Sequence, residues 1–141
     1  MKRIILYVED DQNDARLVRR ALENEKLSAN IFVVPDGCYA ADWLAGNGIY
    51  RDRAKYPQAD LLIVDLRMPR NSGFDLLEFV QGRKELNKIP IIVYTNSENP
   101  ADKGRAFSTG ANAFIQKGIG GLKDLIEYTK LVFATLPPAQ E

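Results

Sequence analysis

The chain has 141 residues, 45% hydrophobic and 27% charged, with 19 basic against 19 acidic side chains. That size and balance fit one soluble globular domain, and zero net charge argues against a chain-wide nucleic-acid or polybasic membrane footprint. With no histidine and one cysteine, Cys38, there is no His-dependent triad, His-ligated zinc, self-contained histidine phosphotransfer, internal disulfide or Cys cluster.

Lys2-Arg3 precede the apolar run Ile4 to Val8, which stops at Glu9. The run is shorter than a signal-peptide core of ~7–15 apolar residues. No run reaches transmembrane length, so a cytoplasmic location is expected. Ile4 to Val8 predicts a strand covered on both faces. Leu17, Val18, Ala21 and Leu22 have helical spacing. Ile31 to Val34 predicts a second strand, closed by Pro35. Asp36 is placed to cap a short helix through Leu44-Ala45, which Gly46 ends.

Residues 46–58 are polar, charged and punctuated by Gly and Pro, which predicts a long surface loop. Its Arg51-Asp52-Arg53 run reads as solvated, and Trp43, Tyr39, Tyr50 and Tyr56 read as packing or surface residues. Leu61 to Val64 predicts the third strand, ending at Asp65. A helix is expected from Gly73 to about Gly82 with Phe74, Leu77 and Val80 inward. Ile89 to Tyr94 predicts the fourth strand. The fourth helix runs from Pro100, a favoured first-turn residue, to Gly110. Ala113-Phe114-Ile115 is a short fifth strand. The last helix carries Leu122, Leu125, Ile126, Thr129, Val132, Phe133 and Leu136 on one stripe, and Pro137-Pro138 stop it. Five strand–helix units imply a parallel sheet with right-handed crossovers and helices on both faces.

In such sheets ligands bind beyond the carboxyl ends of the strands, at the switch point in strand order. The residues leaving the strands are therefore the candidates. They are Glu9-Asp10-Asp11 after the first strand, Asp65 after the third, Thr95 after the fourth and Lys117 after the fifth. In a flavodoxin-like strand order they converge on one pocket. Crowded carboxylates repel unless a cation neutralises them, and carboxylates with water suit Mg²⁺. Lys117 is a compact charge suited to a phosphoryl oxygen. An Asp carboxylate can accept a phosphoryl group covalently. The set reads as metal-assisted transfer onto Asp65, with charge stabilised by Mg²⁺, Lys117 and Thr95.

Taken singly these features are ordinary. An acidic triplet can simply start a helix, and Asp11 with Asp14 fits that use. Thr95 and Lys117 alone are a turn hydroxyl and a solvated amine. Their joint placement at strand ends favours the site.

The chain resembles the receiver domain of two-component response regulators over nearly its whole length. The resemblance rests on Val8-Glu9-Asp10-Asp11, the stretch from Val64-Asp65 through Leu66-Arg67-Met68-Pro69-Arg70-Asn71-Ser72 to Gly73, then Tyr94-Thr95, and Gly110 through Phe114 to Lys117. The long loop before the third strand and the Asp-Leu-Arg-Met-Pro-Arg stretch resemble small regulators paired with bacterial phytochrome kinases. The resemblance implies an α/β, flavodoxin-like (βα)5 fold, a doubly wound parallel sheet of strand order 2-1-3-4-5, with residues 1–141 as a single receiver domain. Asp65 is then the phosphoryl acceptor. Asp10 and Asp65 are direct Mg²⁺ ligands, Glu9 acts through water, and the Arg67 backbone carbonyl is a third ligand. Thr95 and Lys117 contact the phosphoryl group, and Phe114 is the aromatic switch. Arg67 and Ser97 fall at positions that tune phosphoryl lifetime in the family.

The expected partners are a sensor histidine kinase, of phytochrome type in the implied pairing, and a downstream protein target or a second copy in a homodimer. They would be met through a surface around the fourth helix, fifth strand and fifth helix. No DNA-binding domain and no membrane contact are expected. Two positions depart from the family pattern: Gly118, where proline is usual, and Asn96, where a small residue is common. A haloacid-dehalogenase-type phosphatase would need a second Asp two residues past its nucleophile, and Arg67 stands there. A flavin module needs a Gly/Ser/Thr-rich first loop, which the acidic triplet opposes. An adaptor without phosphotransfer is disfavoured by the intact site. The reading is therefore a signalling receiver rather than a metabolic enzyme.

Overall fold

Parallel pairing gathers the apolar runs of this chain into one sheet, as their continuous hydrophobicity requires. The computed structural model describes residues 2–68 and 72–137. Pro69, Arg70 and Asn71 of the receiver-like stretch, and Pro138, lie outside them. The strands are β1 (Arg3–Val8), β2 (Ala29–Val34), β3 (Leu61–Val64), β4 (Ile91–Thr95) and β5 (Ala113–Gln116). They form a five-stranded parallel sheet in the order β2-β1-β3-β4-β5, the expected doubly wound, flavodoxin-like arrangement. The helices are α1 (Gln12–Asn24), α2 (Gly37–Ala45), α3 (Gly73–Gln81), α4 (Pro100–Ser108) and α5 (Gly121–Thr135).

Alternate strand residues feed two cores. Leu6, Val8, Leu62, Val64, Ile91 and Val93 pack with Trp43 and Leu44 of α2, Leu77 and Val80 of α3, and Ala106 of α4. Ile5, Tyr7, Leu61, Ile63, Ile92 and Tyr94 pack with Val18 and Leu22 of α1 and Leu125 and Val132 of α5. Strands buried on both faces show as unbroken apolar runs.

The local signals that end helices operate as expected. Asp11 caps α1 by accepting from the Asn13 and Asp14 N–H groups, and Asp36 caps α2 through Tyr39 N–H. Gly46 closes α2 at φ 71°. Asn99 caps α4, with Pro100 opening it. Several boundaries and faces differ from expectation, among them the start of β2, at Ala29 rather than Ile31. Leu17 is 57% exposed, because Val18 and Leu22 face the sheet and Leu17 lies a helical step to one side. β4 starts at Ile91, since Ile89 N–H turns back to Leu86 O and Pro90 offers only its carbonyl, to Leu62 N–H. α4 ends at Ser108, with Thr109 as cap.

The loop of residues 46–58 is largely exposed, as expected, but one of its charges is not solvated. It holds a 3₁₀ turn, Gly48–Arg51, and buries Tyr50. Trp43, Tyr50 and Tyr56 cluster with ring centroids 5.0 to 5.2 Å apart, and Trp43 Nε1–H donates to Pro57 O. Arg53 is not a solvated charge. Its guanidinium donates to Trp43 O at 2.8 Å, Leu44 O at 3.1 Å and Tyr56 O at 3.1 Å, tying the last turn of α2 to the loop. Arg53→Ala is expected to cost ~1.5–3 kcal/mol, the range for hydrogen bonds from a charged group. Urea unfolding followed by Trp43 fluorescence would report it, and an unchanged midpoint would refute the bracing role.

Candidate functional site

The strand order sets β1 beside β3, with β4 and β5 following, so their carboxyl ends open onto one hollow. Glu9 leaves β1, Asp65 leaves β3, Thr95 ends β4 and Lys117 follows β5. Gly73, at the start of α3, lets the helix approach this rim. A Cβ there would stand 2.6 Å from Asp65 O and 2.8 Å from Leu66 Cα. Any side chain at that position would displace the residue carrying the carboxylate.

Lys117 is the hub. Its ammonium donates to Glu9 Oε1 at 2.6 Å, Asp14 Oδ2 at 2.8 Å and Asp65 Oδ2 at 3.0 Å. The Lys117, Glu9 and Asp65 side chains are all nearly buried. Glu9 also accepts from Tyr7 O–H at 2.8 Å and from Asp11 N–H at 3.2 Å. Asp65 Oδ1 accepts from Arg67 N–H at 3.0 Å. Burial pushes the Glu9 carboxyl above its ordinary range, the Lys117 hydrogen bond partly offsets this, and the Asp65 charge adds to the rise. Burial works to lower the Lys117 ammonium, but its hydrogen bonds to Asp14, Glu9 and Asp65 outweigh that and hold it above the lysine range. The Tyr7 phenol is raised by burial and by the Glu9 charge. It remains a neutral donor.

One ammonium faces more negative charge than it can balance. Glu9, Asp10 and Asp65 each offer a carboxylate oxygen within 4.8 Å of the others, and Asp10 is exposed. A hard divalent cation fits that donor set. Glu9, whose oxygens already accept three protein hydrogen bonds, is the least available for direct ligation.

Thr95 is fully buried, and its Oγ1 accepts from Ser97 N–H at 3.3 Å. Phe114 is half-buried against the core that contains Ala106. The Arg67 guanidinium points away from Asp65 to Asp102 Oδ2 at 3.1 Å. Gly118 takes φ 126°, a backbone that neither proline nor an ordinary L-residue adopts. The loop after Lys117 therefore has a shape of its own. The sequence reading did not find Asp14 as a partner of Lys117, Tyr7 as a donor to Glu9, or Asp102. Asp14 had a local signal, since the first turn of a helix capped by Asp11 sits directly over the strand ends.

Comparison with known proteins agrees with this geometry. The profile of the response regulator receiver domain matches residues 5–130. The chain belongs to that family. Receivers of two-component systems are phosphorylation-dependent signalling domains. The response regulator Rcp1 of Synechocystis sp. is 31% identical over 143 residues, covering 97% of this chain and 95% of the relative. The phosphorylated cyanobacterial phytochrome response regulator RcpA superposes with a TM-score of 0.84 at 27% identity, over 99% of this chain and 100% of that one. The Mn²⁺-bound form of Rcp1 gives 0.80 at 27% identity, over 98% and 97%. Among the described residues no helix is long and apolar enough to cross a membrane.

Proposed function

We propose that this receiver is a switch that takes a phosphoryl group from a phosphohistidine of a sensor kinase onto Asp65. The carrying observation is Lys117 Nζ bound to Asp65 Oδ2, beside a Glu9–Asp10–Asp65 carboxylate set. In the step, an Asp65 oxygen attacks phosphorus and forms the new P–O bond. The P–N bond of the donor breaks, and its electron pair stays on the histidine nitrogen. Lys117 and Thr95 neutralise and hydrogen-bond the transferring oxygens. Asp10 and Asp65 would hold Mg²⁺, with Glu9 through water and the Arg67 carbonyl as a further ligand. The bound ion supplies charge stabilisation for the phosphoryl oxygens. The same site then hydrolyses its own acyl phosphate. A mass shift on Asp65 after treatment with acetyl phosphate and Mg²⁺ tests the assignment, and labelling elsewhere would reject it.

A groove of about 300 Å³ beside Lys117 is lined by Asp14, Leu17, Tyr94, Asn96 and Leu122. Exposed Leu17, and fully exposed Ile119 past Lys117, offer apolar contact to a kinase at its mouth. The relation to RcpA, a phytochrome response regulator, supports a phytochrome-type kinase. The Rcp1 match spans nearly all of both chains, which supports reading residues 1–141 as one receiver domain, with a cytoplasmic setting proposed alongside it. Output is assigned to the α4–β5–α5 face. A groove of about 450 Å³ there is lined by Phe107, Phe114, Ile115, Tyr128 and Leu131 with Lys103, Asp124 and Glu127 around them. It suits a downstream protein or a second copy.

Mg²⁺ is expected to bind weakly, and only with Asp10 in place, because two carboxylates and retained waters make an open site. Titration of Mg²⁺ against wild type and Asp10→Ala, followed by the NMR shift of a nearby amide, checks this. Equal affinity in the two would remove Asp10 from the metal site.

A further inference from the structure

One carboxylate ties α4 to both loops of the phosphorylation site. Asp102, in the first turn of α4, accepts from the Arg67 guanidinium at 3.1 Å and from Ser97 Oγ–H at 2.5 Å. Arg67 lies two residues past Asp65, and Ser97 lies two past Thr95. The Asp102 side chain is 18% exposed and that of Arg67 is 65% exposed. Elsewhere α4 buries Ala106, and Arg105 lies over the Phe74 ring at 4.0 Å and 3.9 Å from Glu78.

Arg67 has two possible acceptors. Its backbone N–H already donates to Asp65 Oδ1, so its side chain starts beside the acceptor carboxylate. While Asp65 is unmodified, Lys117 occupies that carboxylate and Asp102 takes the guanidinium. A phosphoryl group on Asp65 brings up to about two negative charges and three strong acceptor oxygens, against the single charge of Asp102. Guanidinium–phosphate pairing is often bidentate, which makes the contest real.

We propose that Asp102 is a positioning residue for phosphoryl loss: it holds the Arg67 guanidinium off the phosphoryl face and so leaves that face open to water. The inference rests on the reading of Asp65 as phosphoryl acceptor. In hydrolysis a water oxygen attacks phosphorus and the P–O bond to Asp65 breaks. Its electron pair returns to the carboxylate, and the water's proton leaves with inorganic phosphate or solvent. A guanidinium laid across the phosphoryl oxygens would cover the line of attack and stabilise the acyl phosphate.

The test uses wild type, Asp102→Asn, Arg67→Ala and the double variant, each labelled with acetyl phosphate and Mg²⁺, then freed of donor and followed for decay. Asn at 102 still accepts from Ser97 Oγ–H, so the first turn of α4 is preserved while the charge that holds Arg67 is gone. Asp102→Asn is expected to lengthen the phosphoryl lifetime about two- to fivefold, the scale of an exposed ion pair. It should tighten beryllofluoride binding by a similar factor. Arg67→Ala should decay at least as fast as wild type, and adding Asp102→Asn to it should change nothing. An unchanged lifetime in Asp102→Asn would overturn the proposal. So would an equal lengthening in the Arg67→Ala background, because Asp102 would then act only through its charge in the first turn of α4. A wild type that takes no phosphoryl group at Asp65 would overturn the acceptor reading, and this proposal with it.

Discussion

Asp65→Asn is expected to abolish phosphoryl labelling while leaving the fold intact. Asn is nearly isosteric, and its amide oxygen can still accept from Arg67 N–H, the bond that Asp65 Oδ1 makes at 3.0 Å. It offers no carboxylate oxygen to form the acyl phosphate. Lys117 keeps Glu9 and Asp14 as partners, so the ammonium is not left buried and alone. The substitution also removes one member of a crowded set of like charges. The metal-free variant should therefore melt at or slightly above the wild-type temperature. Intact-mass analysis after acetyl phosphate treatment, with peptide mapping of the wild-type adduct, decides the matter. A variant labelled as fully as wild type at another residue would end the assignment of Asp65.

Strands and caps were legible because their causes are local. Leu61 to Val64 is a short apolar run between polar segments, as a strand buried on both faces requires, and Asp36 and Gly46 delimit α2 by backbone chemistry that three or four residues contain. The site was legible at one remove, because a parallel sheet gathers strand-end residues regardless of the sequence distance between them. What sequence did not disclose was side-chain reach across elements. Arg53 reads as one charge in a charged run, and only the fold brings it to the last-turn carbonyls of α2. Asp102 stands in the first turn of α4, where an acid complements the helix dipole. Its bonds to Arg67 and Ser97 depend on where two loops end. Asp14 had the same ordinary explanation and a second, non-local partner in Lys117. In each case the residue satisfied a local rule, which hid the longer-range bond.

Phosphorylation is expected to change hydrogen exchange in α4 and β5 while α5 stays fixed. A hydrogen-bond chain supplies the route. Thr95 Oγ1 accepts from Ser97 N–H, and Ser97 Oγ–H donates to Asp102 in α4. Drawing Thr95 toward a phosphoryl group strains that chain at its first link. Phe114, half-buried beneath the helix, can then reorient into the space Thr95 leaves. α4 is suited to move. Gly104, Ser108 and Thr109 are weak helix formers, and Phe107 is 44% exposed. α5 instead buries Leu125, Thr129 and Val132. One hydrogen bond to a charged group is worth ~1.5–3 kcal/mol, which is roughly tenfold or more in local opening. Exchange across Pro100–Ser108 and Ala113–Gln116 should therefore shift by about that factor on adding beryllofluoride with Mg²⁺. Gly104→Ala gives an independent handle, since a Cβ at Gly104 meets open space. It should stabilise the helix by roughly 0.5–1 kcal/mol and slow its resting exchange without touching Asp65. If beryllofluoride altered protection only around Asp65, with α4 and β5 unchanged, this coupling would be absent and the output surface would have to be sought elsewhere.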